Sequence, residues 1–118
     1  MERTLAGTLA LALTAVGALA VAAPKLSAGQ YGLPTDDPGG LGFVRATGAR
    51  DMLLGLLVFA VLDDAPRLRR ALGIVSLAGL ADAAALGSVR GWRPQHAIHL
   101  SGFAALALAA LAVRDRTD

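Results

Sequence analysis

Residues 5–23 read LAGTLALALTAVGALAVAA, a run without a single charged side chain. An α-helix needs about 20 predominantly apolar residues to cross the hydrocarbon core of a bilayer, and this run has that length. It stops at Pro24-Lys25. A secretory signal is the plainer alternative, since Ala20-Val21-Ala22 resembles a cleavage site and Arg3 gives a weakly positive flank. The apolar region is longer than a signal core of about 7–15 residues, however. The sequence therefore predicts a membrane span over 4–23.

Three more apolar stretches follow, and each ends in a charge cluster. The second span is predicted over 43–62; its charges Arg45, Arg50 and Asp51 fall in the first half, and 52–62 has none. Asp63, Asp64, Pro66, Arg67, Arg69 and Arg70 then form a polar turn. The third span covers 68–89, with Asp82 its only charge after Arg70. Arg90-Gly91-Trp92-Arg93-Pro94 is a second turn, in which Trp92 suits the membrane interface. The fourth span covers 95–113 and runs into the charged tail 114–118. The longest connection is 24–42, read as a loop because Gly29, Gly32, Pro34, Pro38, Gly39 and Gly40 punctuate it. Tyr31 is placed there at the headgroup level, and Asp36 and Asp37 are read as solvated.

The expected fold is all-α, a four-helix transmembrane bundle forming one domain over 1–118. Glycines such as Gly7, Gly17, Gly48, Gly55, Gly73, Gly79, Gly87 and Gly102 recur in the spans, together with many alanines. Lipid gives helices no hydrophobic reason to associate, so small side chains that allow close backbone approach supply the packing. Hydrophobic residues fill 55% of only 118 positions, too much for a soluble domain of this size. The net charge of +2 comes from basic residues scattered at helix ends, not gathered on a face; no nucleic-acid partner is expected. Cysteine is absent, which excludes disulfides and thiol catalysis. Heavy use of Ala, Gly, Leu, Arg and Asp is the composition of a high-GC bacterial genome.

With four spans, the N-terminus, the 63–70 turn and the C-terminus share one side, carrying Arg3, Arg67, Arg69, Arg70, Arg114 and Arg116. Lys25, Arg90 and Arg93 lie on the other. Positive residues collect on the cytoplasmic side. The chain is therefore expected in the cell membrane as a multi-pass protein with both termini cytoplasmic.

Depth selects the candidate site. Asp51 lies 11 residues before Leu62, Asp82 14 after Leu68, and His99 14 before Val113. At about 1.5 Å rise per residue, these depths agree within roughly one helical turn. All three fall in the half away from the cytoplasm, with His96 one turn nearer that outer surface. Buried charges of this kind are costly and face a bundle interior. Arg50 and Asp51 are about 100° apart on their helix and are expected to find different partners, Arg50 with Asp82. Asp51 would accept from His96, His99 or an arginine of another span.

Three functions fit such a layer: a charge network that only fixes packing, a proton-exchanging catalytic site for a lipophilic substrate, and a non-catalytic pocket or ion path. In the catalytic version Asp51 is base and His96 acid or proton shuttle, while Arg50, Asp82 and His99 form the charge frame or bind ligand. His96 and His99, spaced i, i+3, with Asp51 and Asp82 have ligand-compatible chemistry, but the spacing signal for a metal site is weak; no metal or cofactor is expected. Ser88 and Ser101 lack a nucleophile-elbow motif, and Ser76 is expected to bond its own helix. The cytoplasmic halves of the second and fourth spans carry no polar path, which counts against a carrier.

The same residues carry a family resemblance. Gly48-Ala49-Arg50-Asp51-Met52-Leu53-Leu54-Gly55-Leu56 resembles the G-x-R-D-x-x-x-G-L signature of small four-span membrane proteins grouped as domain-of-unknown-function family 4267. Tyr31-Gly32-Leu33-Pro34 resembles its F-G-x-P loop, with Tyr31 in place of the usual phenylalanine. Ala71-Leu72-Gly73, Ala81-Asp82-Ala83 and His96 resemble its later landmarks, so the likeness spans about 1–113. It implies an integral membrane four-helix protein with Arg50, Asp51, Asp82 and His96 as a shared polar set. It implies no activity, and His99 is not part of it. The function expected from the residues is binding of a lipophilic small molecule at this site, with acid/base turnover as an extension. The rival is an accessory subunit whose charges only lock packing. The expected partners are the bilayer and that small molecule, with a second copy of the chain as a further candidate.

Overall fold

The computed structural model describes residues 1–114; Arg116 lies outside them, with the rest of 115–118. Among the described residues the chain is all-α, with five helices and no strand: α1 (Glu2–Ala22), α2 (Pro24–Gln30), α3 (Pro38–Ala60), α4 (Ala65–Arg90) and α5 (His96–Ala112). Two of them, α1 and the Ala65–Val89 part of α4, are long and apolar enough to cross a membrane.

Local chemistry sets the helix ends. Asp37 caps α3 by accepting from the Gly40 amide at 2.9 Å, and Asp64 caps α4 by accepting from the Arg67 amide at 3.0 Å. Each cap is followed within two residues by a proline, whose fixed φ and missing N–H suit a first turn. Ser76 does bond its own helix, donating to the Gly73 carbonyl at 2.7 Å.

The connection read as a loop over 24–42 is corrected: it contains α2 and the first turn of α3. Pro24 opens α2 at its first position, and of the glycines that suggested irregular chain only Gly32 needs a positive φ, +85°. That residue closes α2. The Gly32 amide donates to the Gly29 carbonyl and the Leu33 amide to the Ala28 carbonyl, at 3.2 and 3.0 Å, the two bonds of a Schellman C-cap.

The long helices pack chiefly as two pairs, α1 on α3 and α4 on α5. The first pair meets through small residues. A Cβ on Gly48 would stand 2.5 Å from the Gly17 carbonyl oxygen and 2.7 Å from the Ala20 Cβ, so the backbones touch there. Gly79 brings α4 equally close to α5, since its Cβ would lie 2.6 Å from the His99 carbonyl oxygen.

Arg3 bonds Asp63, and Arg69 donates to the Val113 carbonyl at 2.6 Å. The start of α1, the α3–α4 turn and the end of α5 therefore gather at one end. Gly32 lies against Gln95 at the other. The apolar core, which includes Val58, Leu68, Leu72, Val75, Leu106 and Val113, is nearer the first end. The polar residues lie beyond it.

Candidate functional site

Arg50 is the hub. Its Nη1 and Nη2 donate to Asp82 Oδ1 and Oδ2 at 3.0 and 2.7 Å, a two-pronged pair from α3 to α4. Its Nε and Nη2 also donate to Asp51 Oδ1, at 3.0 and 2.8 Å. The pairing with Asp82 agrees with the reading of the spans. The expectation that Arg50 and Asp51 diverge is corrected. Neighbouring residues leave a helix in different directions, yet the long arginine side chain bends far enough to hold both carboxylates. One cation then serves two anions in a half-buried setting.

His99 of α5 closes the cluster, with Nδ1 3.9 Å from Asp82 Oδ2. This histidine, which the family resemblance did not supply, is the one that depth placed in a common layer with Asp51 and Asp82. His96 is elsewhere in chemical terms. It is 2% exposed; its Nδ1 accepts from the Arg93 amide at 2.8 Å and its ring meets Trp92 edge-on. No hydrogen bond joins it to Asp51. It sits at the first residue of α5, so its ring is used where the preceding turn joins the helix. The Asp51–His96 couple is therefore not assembled, whereas Arg50, Asp51, Asp82 and His99 are.

Tyr31 was expected at the headgroup level, and the structure turns it inward. Tyr31 precedes the Schellman turn at Gly32, and its ring lies 5.5 Å from that of His99 of α5. The Tyr31 hydroxyl and His99 Nε2 are both buried and without a hydrogen-bond partner. The Tyr31 backbone carbonyl approaches the His99 ring as an acceptor, but no bond of good geometry forms at Nε2. Burial first, and then the charges of Asp51 and Asp82, push the Tyr31 hydroxyl above the usual tyrosine range, which keeps it a donor at neutral pH. No one-dimensional signal places Tyr31 opposite His99; only the cap of a helix missed in the sequence does so.

These groups stand beside two cavities, of about 530 and about 200 Å³. Both are bordered by Tyr31, Thr47, Asp82 and His99, so the polar cluster lies where they meet; Arg50 and Asp51 face the smaller one. His96 borders neither. The walls of the larger are otherwise mostly apolar, with Leu33, Phe43, Val44 and Leu86. Its volume falls in the range of about 300–1,000 Å³ common for small-molecule sites. Among the described residues no three His, Asp or Glu side chains are grouped to hold a metal ion.

A buried polar group without a partner costs about 1–3 kcal/mol. Removing the Tyr31 hydroxyl breaks no bond, so Tyr31→Phe is expected to leave the melting temperature unchanged or raise it. A clear fall, measured in detergent, would show that the hydroxyl has a structural partner.

Fold and cluster together define an all-α protein with strongly apolar helices and a ring of Arg, Asp and His side chains at a cavity. A family model described as a domain of unknown function, DUF4267, matches residues 10–113. The chain belongs to this family. No curated protein and no solved structure matches it.

Proposed function

We propose that the chain is a four-span integral membrane protein with both termini cytoplasmic, which binds a lipophilic small molecule in the larger cavity. The membrane reading draws support from the outer surface. Large apolar side chains are exposed on every helix, with Leu53, Ile74 and Leu111 at 67, 66 and 82%, and an exterior so rich in them suits lipid surroundings. α3 fails a simple length-and-charge test for a span only through residues 45, 50 and 51, two of which are paired to each other. α5, with 17 residues, reaches about 25 Å, slightly short of the roughly 30 Å core.

The observation that carries the binding reading is the cavity of about 530 Å³ bordered by Asp82, His99 and Tyr31, with two buried polar atoms unmet. A network kept only for packing would pair every polar atom and leave no void. In any acid/base version, His99 replaces His96 as the exchanging imidazole. The four bonds from Arg50 favour a second reading, in which the cluster only ties α3 to α4.

An alkyl diazirine photoprobe tests the pocket. Adducts at Val44 or Leu86 that an excess of unlabelled alkane abolishes are the expected result. Labelling spread evenly over lipid-facing Leu53 and Ile74 would overturn the reading. Topology is tested by cysteine labelling, which the cysteine-free chain makes clean. Asp36→Cys is expected to react with a membrane-impermeant maleimide in intact cells, and Asp63→Cys only after permeabilisation; the reverse pattern would invert the orientation.

A further inference from the structure

We propose that the molecule in the larger cavity is a lipophilic organic cation, an ammonium group on a hydrocarbon body, with its charge set against the Asp82 carboxylate. This rests on the binding reading above and names its ligand class. Arg50 brings one positive charge to the cluster, and Asp51 and Asp82 bring two negative ones, joined by the bonds from the guanidinium. His99 does not make up the difference through a hydrogen bond. Its Nδ1 is 3.9 Å from Asp82 Oδ2, beyond the roughly 2.7–3.2 Å of an N–H···O bond. With a neutral imidazole the cluster keeps one negative charge in excess. Among apolar helices such a charge is costly unless a counter-ion is supplied.

The larger cavity is where a counter-ion reaches the cluster. Asp82 borders it, and the Asp82 side chain is 22% exposed. Asp51 is more deeply buried and borders only the smaller cavity. Arg50 takes one bond at each Asp82 oxygen. An ionised carboxylate offers about four lone-pair sites, so acceptor capacity remains for an N–H of the ligand. No lysine or arginine borders the larger cavity, while the hydroxyls of Thr35 and Thr47 on its wall are further acceptors. An anionic ligand would meet a carboxylate there and no cation; a neutral one would leave the excess charge as it was. An ammonium answers both. The rings of Tyr31 and Phe43 border the same space, and aromatic faces attract cations. The rest of the wall is mainly aliphatic, which suits the hydrocarbon body.

Three matched competitors of the alkyl diazirine photoprobe test the proposal: decylammonium, its uncharged isostere undecane, and decanesulfonate. Each is compared by the mole fraction in the lipid that halves the labelling of Val44 or Leu86. The whole chain is held at pH 7.5 in nanodiscs of phosphatidylglycerol, a lipid without an ammonium group. Decylammonium is expected to compete about tenfold better than undecane, the size of one charge-assisted contact, and decanesulfonate less well than either. Asp82→Asn should bring decylammonium to the level of undecane. Undecane itself should be unchanged, which reports that the cavity is still formed. The comparison within the parent chain decides the sign of the charge without any variant. Adding phosphatidylethanolamine to the nanodiscs separates two sources of the ammonium. A reduced advantage for decylammonium assigns the site to a lipid headgroup, and an unchanged one to a free amine. Equal competition by decylammonium and undecane in the parent, or a preference that survives Asp82→Asn, would overturn the cation assignment and leave the pocket standing. Labelling that none of the three displaces would overturn both readings.

Discussion

Arg50→Met is expected to destabilise the chain by about 3 kcal/mol, and more than the loss of either aspartate. Removing one partner of a buried ion pair costs about 3–5 kcal/mol because the other charge is left uncompensated. The lower figure fits here, since the Arg50 side chain is partly accessible. The ranking follows from counting charges. One guanidinium faces two carboxylates, so Arg50→Met leaves two adjacent anions with no cation. Asp82→Asn leaves a neutral Arg50–Asp51 pair. Thermal unfolding in detergent, followed by the fluorescence of Trp92, measures this directly. Adding Asp82→Asn to Arg50→Met should restore part of the loss. If Asp82→Asn alone proves worse than Arg50→Met, the guanidinium is not what holds α3 to α4.

The second large effect is steric. Gly48→Ala puts a methyl group 2.5 Å from the Gly17 carbonyl oxygen, a contact that neither helix backbone can relieve by rotating a side chain. Overpacking of this kind costs about 1–3 kcal/mol, and the upper end applies where the obstacle is backbone. The α1–α3 pair should separate or shift, with a lowered melting temperature in detergent. Gly73→Ala is the matched control. Its Cβ would meet nothing within 4 Å, so the change should be neutral or stabilising by up to about 1 kcal/mol, the helix-propensity difference between the two residues. Equal effects at 48 and 73 would show that backbone freedom rather than close approach explains both.

Much of this was legible in the chain, for identifiable reasons. Apolar length and charge position are one-dimensional quantities. The four long helices accordingly lie within a few residues of the spans read from 4–23, 43–62, 68–89 and 95–113. Depth along a helix is also one-dimensional, and it singled out Asp51, Asp82 and His99 as a layer. Azimuth was harder. That Arg50 would reach back to Asp51 depends on side-chain length and on what the adjacent α4 offers. His96 meets Trp92 and the Arg93 amide rather than Asp51, and a helix-start ring of this kind looks no different in sequence from a ring in the cluster. Tyr31 and α2 were obscured by glycines. Gly29, Gly39 and Gly40 share the signature of an irregular loop with Gly32, but only Gly32 uses its conformational freedom. The turn it makes gives the cavity its tyrosine.

The adjacency of Arg50 and Asp51 bears on how such a chain enters a bilayer. A lone arginine at the centre of a helix costs about 2.5–3.5 kcal/mol on insertion scales. α3 brings its own counter-ion, one residue along. On the proposed topology the segment can partition as a locally neutral zwitterion before α4 has been synthesised. Asp82 then arrives as a late second anion, and the resulting formal imbalance exists only in the assembled bundle. The sequence order cation, near anion, distant anion is thus also an order of assembly. An isolated α3 segment carrying Asp51→Asn should insert less efficiently than the parent segment, while the presence or absence of Asp82 should not affect that step.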